Sequence, residues 1–550
     1  MQRQNVALVT VAALTFVQPA FAQEEPVSPP PPPPTVEPVA PPPPAPPVAP
    51  AHPFSDTARP PTSPTSPAGY NVPLATRPAG PDDHEVVDLS PLAHDKRPLA
   101  GYHNGLFFLR DHHDNFHLYI QGRMQLDFYG YAGKGVADTP LKPTLFIRRV
   151  RPEVTGEFLG HWRFMIAGDF GATAIDNAGA AAGSAADRTR FQAAATDAFI
   201  NYRANPIFNM MVGQMDAPFM QENRTSDKYI QFAERSLAVR AVGVPTNKEL
   251  GAMFWGETEN RFIYYSVGPY MGDGINRPNV DSRMDVFSRV FLHPLAFADL
   301  PPQSAIRDLQ FGASFHYGNR DHKWVNYDYA PMTTQAAWTF WNTNYAGSGG
   351  LTHILPSGDQ IGVAGEVRIP FEKLDFVSEL VYIHNDTREA VEGLQARETN
   401  RYGDIHGIAY YAQVGYWPLG NRDINGVPGY GNPPRLDWSR ADPVIPAQAL
   451  QLLAKWEQVS LAYRSASRFG VVDSKNVDGQ IRVNALSLGA NYWATRHVRL
   501  TLNYVLDVFP DSAPVAKQTQ SNRAMAPGNS VGRQGTHALN EVVARFAIAL

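Results

Sequence analysis

The chain has no cysteine among its 550 residues. That excludes a disulfide scaffold, thiolate metal sites and a lipidated N-terminal cysteine, so stability must come from a large hydrogen-bonded architecture. It also lacks any apolar run of about 18 residues, and with a mean hydropathy of -0.29 this excludes a membrane-spanning helix. Any membrane role must use strands. Excess charge is missing too. Residues 1–100 hold 5 of the 47 basic and 9 of the 52 acidic groups, so the remainder carries 42 against 43. The body is almost neutral overall, and no nucleic-acid partner is expected. Neither Gly-x-Ser-x-Gly nor His-Glu-x-x-His occurs, and no nucleophile stands with a base and an orienting group, so no enzymatic activity, catalytic residue or cofactor is expected.

Proline is abundant instead, 49 residues, and much of it lies between Pro26 and Pro81, with an unbroken run from Pro29 to Pro34. Such a segment buries no core and prefers extended polyproline II. It reads as a disordered tail or as a tether that crosses periplasm and touches peptidoglycan. Ahead of it stand Arg3, an apolar run from Val6 to Val17, and Ala20-Phe21-Ala22 before Gln23. That run is too short to span a bilayer and ends in a small-x-small site, the pattern of a cleaved secretory signal. The expected organisation is a signal peptide over 1–22, a Pro-rich extension over 23–100 and a strand-built domain over 101–550.

The strands announce themselves from Phe116 onward. Phe116, Leu118, Ile120, Met124, Leu126 and Phe128 share one parity, and His117, Gln121, Arg123, Gln125 and Asp127 the other. A helix would scatter those charges round its circumference, whereas an extended strand gives one apolar and one polar face. A half-buried soluble strand alternates as well, but soluble strands peak near 5 to 6 residues and a tilted membrane strand needs about 9 to 11. The pattern recurs at Trp162–Phe170, Leu309–Tyr317, Ile408–Tyr416, Leu486–Tyr492, Val498–Tyr504 and Val542–Leu550. Short links such as Leu159 to His161, Ala204 to Ile207 and Thr495 to His497 alternate with long ones: Gly171 to Ala195, Asp216 to Glu249, Gly318 to Asp359 and Pro510 to Thr536. Outer-membrane barrels have short periplasmic turns and long outer loops. The fold class is therefore all-β, a transmembrane antiparallel barrel of about 16 strands.

Three places resist this pattern. Ala449 to Ser465 changes phase between Trp456 and Val459, as one bulged strand or as a hairpin turning at Glu457 and Gln458. Parity favours the bulge and puts Pro418 to Pro446 on the periplasmic side, where a long link is unexpected. Arg148-Arg149 puts one arginine on the lipid parity, which is costly at the midplane. His112, His113, Asp114 and His117 suggest divalent-metal chemistry, but a solvated turn explains them and no metal site is expected.

Asp114-Asn115-Phe116 with Gly122-Arg123-Met124-Gln125-Leu126-Asp127, Phe146 to Arg151, Asp197-Ala198-Phe199, Val212-Gly213-Gln214, Ala217-Pro218-Phe219 and Phe232 to Leu237 resemble, in order, the phosphate-selective porin O and P family. Gly489 to Trp493 and Leu502-Asn503-Tyr504 extend the likeness, so that it covers Gly105 to Leu550. The resemblance implies a 16-stranded outer-membrane porin, a homotrimer in outer-membrane lipid, with a long third loop folded inward as a constriction. Asp216 to Glu249 is the counterpart of that loop. Its implied partners are phosphate or other small anions, selected by arginine and lysine. Guanidinium offers planar, permanently charged donors, and a narrow low-dielectric pore strengthens its field. The candidates are the polar-parity Arg123, Arg149, Arg151, Arg163 and Arg499, joined from the loop by Arg224, Lys228 and Arg235.

Inward acids such as Asp127, Glu153 and Asp169 supply a competing role for those arginines, that of simple charge partners. The loop itself carries Asp216, Glu222, Asp227 and Glu234, Leu550 replaces the family's usual terminal aromatic, and the Pro-rich extension is no general family feature. A general, weakly selective porin and an envelope anchor acting through the tether are the alternatives to an anion channel.

Overall fold

A computed structural model describes residues 98–103, 106–133, 143–171, 194–301, 304–325, 327–336, 339–341, 344–347, 350–391, 401–425, 446–467, 479–509 and 538–550. The signal segment, nearly all of the Pro-rich extension, most of the links 171–195 and 510–536 and most of 418–446 lie outside these residues.

Sixteen antiparallel strands form the wall: β1 Phe116–Ala132, β2 Thr144–Phe158, β3 Trp162–Asp169, β4 Ala194–Arg203, β5 Asn209–Asp216, β6 Lys248–Glu257, β7 Ile263–Tyr270 and β8 Asp285–Leu292. They continue as β9 Gln310–Arg320, β10 Gly350–Phe371, β11 Leu374–Val391, β12 Arg401–Leu419, β13 Ala449–Ser467, β14 Gly479–Thr495, β15 Val498–Val508 and β16 Ala538–Ala549. Each pairs with its neighbour in sequence, and β16 returns to β1 with Arg545 opposite Asp127. Closure leaves no unpaired edge, the condition for crossing a bilayer with strands. Below the end of β16, a hairpin of Ala100–His103 and Leu106–Arg110 continues the pairing along β1, Phe107 facing Ile120.

The burial is inverted relative to a water-soluble protein. Ile120, Leu145 and Leu502 are more than half exposed, whereas Asp127, Asn503 and Glu541 are 0% exposed. Apolar residues thus face lipid and polar ones the interior.

Register explains two of the irregular places. Gln125 pairs with Arg149 but Leu126 pairs with Ile147, so Arg148 is the extra residue of a β-bulge. The bulge turns Arg148 inward with Arg149, and both reach Glu234. No arginine is left on the lipid face there. Ala449–Ser467 is one strand, neither bulged nor a hairpin, paired without a break to β14. Its odd residues face inward from Ala449 to Tyr463. The apparent change of phase marks the exit from the lipid band, where outward Trp456 gives way to Gln458 and Ser460 while inward Val459, Leu461 and Tyr463 are buried in an apolar interior. Consequently the β12–β13 link lies on the short-turn side, as parity requires.

Two long links enter the barrel. The β5–β6 link carries the short helices α1 (Gln221–Arg224) and α2 (Leu237–Val242), with Phe232, Ala233 and Leu237 at most 1% exposed. The second lies between β9 and β10, where Met332–Thr333 pairs with Thr339–Trp341 and both Met332 and Trp341 are buried. That loop was not legible as an inward one, although its density of Trp and Tyr was the available signal.

Candidate functional site

The β5–β6 loop crosses the lumen and is held at both faces. On the far wall, acceptors meet its free backbone donors. Glu379 of β11 accepts from the amides of Gln221 and, at 3.2 Å, Glu222, and so caps α1; Glu457 of β13 accepts from Leu237 N at 2.6 Å, opening α2. Ser236 caps α2 from within, its Oγ 3.3 Å from Val239 N. Asn503 accepts from Ala233 N at 2.8 Å, and Asn491 donates to Gln231 O at 2.7 Å. The second loop packs alongside: Glu541 accepts from Ala336 N at 2.8 Å, and Tyr131 donates to Ala336 O at 2.7 Å.

On the β16–β1–β2 wall the attachment is ionic. Arg123 pairs with Glu153 and with the loop's Asp227, each at 2.9 Å. Arg149 reaches Asp227 at 2.6 Å and Glu234 at 3.0 Å, and Arg151 reaches Asp169 at 2.7 Å and Asp227 at 3.3 Å. Arg545 grips Asp127 with two contacts of 2.7 Å and Glu234 with one of 2.8 Å. Burial alone would push the Glu234 carboxyl up, but Arg148, Arg149 and Arg545 overcome it and hold the group well below the usual carboxylate range. Arg123, Arg151 and Arg149 do the same for buried Asp227.

The eight candidate residues therefore separate by environment. Arg123, Arg149 and Arg151 belong to the docking network. Lys228 joins it through Glu153 at 2.6 Å. Arg163 sits lower on the wall, 3.4 Å from Glu157. Arg224 is buried against Asp216 O and Met253 Sδ, both at 3.2 Å, and Arg235 donates to Glu222 O at 3.1 Å and Thr225 O at 2.7 Å, so these two shape the loop from inside. Arg499 differs: its contacts are Ile230 O at 2.9 Å and the face of Trp493 at 5.7 Å, with no carboxylate among the described partners. Pairing is the rule elsewhere on the wall too, as in Arg289–Glu366 and Lys248 between Asp197 and Asp216.

Under the loop, on the short-turn side, Arg499 opens onto a small recess. Arg123, Lys228, Arg496, His497 and Trp493 line it with Arg499, and no carboxylate side chain is among the lining residues. Lys228 Nζ also contacts Leu550 O at 3.4 Å. Sequence reasoning missed Arg496, which sits in a two-residue turn where alternation says nothing of direction. It also missed Arg545, Asp227 and Glu234 as a unit, because their partners are far away in the sequence, 85 residues for Arg149 and Glu234 and 311 for Arg545 and Glu234.

No curated protein matches the chain. Among solved structures, the barrel is similar to in-vitro folded OmpT of Vibrio cholerae (TM-score 0.44, 8% identity, 80% of this chain and 99% of that one). It is also similar to an anion-selective porin from Comamonas acidovorans (TM-score 0.42, 9% identity, 79% and 100%) and to the outer membrane channel DcaP of Acinetobacter baumannii (0.40, 10%, 79% and 98%). A comparison with protein families matches residues 118–525 to the phosphate-selective porin O and P family. That match takes in the inward loop, most of its docking partners and fourteen of the sixteen strands entire, and by it the chain belongs to the phosphate-selective porin O and P family, a passive channel of the Gram-negative outer membrane.

Proposed function

We propose that this channel favours small anions, phosphate among them, and that selection occurs at the recess under the inward loop rather than along the whole arginine wall. The observation that carries this reading is the contrast in pairing. Most inward cations are neutralised by a carboxylate within hydrogen-bond distance, Arg123 and Lys228 among them, whereas Arg499 and Arg496 have no carboxylate among their described partners and face a recess whose lining holds no acidic side chain. Local charge, not net charge, sets the potential that a permeating ion meets in a low-dielectric passage. Asn425 and Gln125, also in the lining, add polar groups that replace part of an ion's hydration shell. A homotrimer in outer-membrane lipid is part of the same reading, and cross-linking in native membranes tests it.

The experiment is bilayer electrophysiology on Arg496→Gln/Arg499→Gln. Neither residue belongs to the ionic docking network; Arg499 touches the loop through Ile230 O, and glutamine keeps a donor for that contact, so the loop stays docked while two positive charges are lost. Anion preference falls, and block of chloride current by phosphate weakens. An unchanged reversal potential would assign the protein to the general porins.

A further inference from the structure

We infer that His384, Asp404 and His406 form a binding site for a divalent transition metal on the outer wall of the barrel. His384 of β11 and His406 of β12 are directly opposed in the register, their rings 5.7 Å apart. One ligand atom from each of the three residues lies within 4.8 Å of the others. In a filled tetrahedral sphere with metal–nitrogen bonds of about 2.0 Å, ligand atoms sit about 3.3 Å apart. Small ring rotations on a rigid hairpin close that difference.

Their placement has no other explanation in the packing. Outward residues on these strands are apolar, Ser378 excepted, up to Tyr382 and Ile408, each about two-fifths exposed, and the next outward positions are His384 and His406. The cluster stands at the rim of the lipid band, half open to solvent, with side-chain exposures of 36% for His384 and 27% for His406. Two carboxylates orient the rings. Asp404 contacts His406 Nδ1, a contact that an ion entering between the two groups replaces; Asp386 stands 3.7 Å from His384 Nε2 while its other oxygen accepts from Asp359 N at 3.1 Å. Arg464, 58% exposed, covers Asp404 with contacts of 3.0 and 3.2 Å. That exposed guanidinium is the cation which a metal displaces. Two imidazoles with one carboxylate select zinc, nickel or copper over magnesium or calcium, which prefer all-oxygen shells.

The test uses the purified full chain in detergent, stripped with EDTA and titrated with zinc by calorimetry and with cobalt(II) by its visible absorption. One equivalent binds per chain. His384→Ala/His406→Ala removes it or weakens it at least about tenfold. Arg464→Ala strengthens it by freeing Asp404. Heat-modifiable mobility and conductance of each variant stay as in the wild type, showing that the barrel is intact. The chain holds 16 histidines, so binding that persists in the double variant would place the metal elsewhere and overturn the proposal. Unaltered affinity in Arg464→Ala would overturn it as well, since Asp404 would then not be a ligand.

Discussion

Glu234→Gln tests the docking of the inward loop with least change of shape. In the wild type this carboxylate is shared by three guanidiniums, Arg148 at 3.0 Å, Arg149 at 3.0 Å and Arg545 at 2.8 Å, and its side chain is 8% exposed. Removing one partner of a buried ion pair costs about 3–5 kcal/mol, because the remaining charge is left uncompensated. The barrel's hydrogen-bonded wall does not depend on Glu234, so the cost falls on loop position. At about 1.4 kcal/mol per factor of ten, a docked loop loses two to three orders of magnitude in population ratio. Single-channel recordings then show larger and noisier conductance, and anion preference rises because three arginines lose their counter-charge. Limited trypsin digestion cuts at Arg235 or Arg240, which the docked loop protects. Acid has the same target. Glu234 titrates lower when docked than when free, so its contribution is complete above the free carboxyl's range near about pH 4.3 and is lost as pH falls towards the docked value. Conductance is therefore constant from neutral pH to about pH 5 and changes only in stronger acid. Recordings and digestion patterns identical to wild type in Glu234→Gln would refute the ionic docking.

Deleting Arg148 removes only the bulged residue, so Ile147 stays outward and Arg149 inward, and the barrel still assembles with heat-modifiable mobility. Deleting Val150 instead shifts the register beyond it and sends inward charges such as Arg151 to lipid at about 2–4 kcal/mol each near the midplane, so assembly fails on the same gels. The mature protein begins at Gln23, which N-terminal mass spectrometry checks; recovery of the uncleaved chain from the inner membrane would contradict a secretory signal. Removal of Pro26 to Pro81 leaves folding and conductance intact, because that segment lacks the apolar content to pack on the barrel, and loss of the folded band would show otherwise.

The fold was legible because lipid imposes a demand that composition cannot hide. Ile120, Phe128, Leu488 and Leu502 must be apolar, their sequence neighbours line the interior, and the period of two persists for whole strands. Legibility failed where the demand changes along a strand. At Ser460 the outer environment is no longer lipid and at Leu461 the inner one is no longer water, so alternation inverts without any change in the backbone. It failed again at Arg148, since a bulge adds one residue and the sequence does not mark which. The candidate site was legible by residue type alone. Arg149 was visible as an inward cation, but that Asp227 and Glu234 meet it depends on a loop returning across the lumen, a contact of high sequence separation that no local pattern encodes. Arg499 and Arg163 looked alike in sequence, and only the fold gives one a carboxylate and leaves the other facing a basic recess.

The central claim, a preference for anions set by local charge in a body of nearly balanced charge, is tested most directly by the zero-current potential of the purified wild-type protein in a planar bilayer under a potassium chloride gradient. The account predicts a potential of the sign given by chloride permeating faster than potassium, reduced when phosphate is added. A potential near zero, or of the sign for potassium, would contradict it.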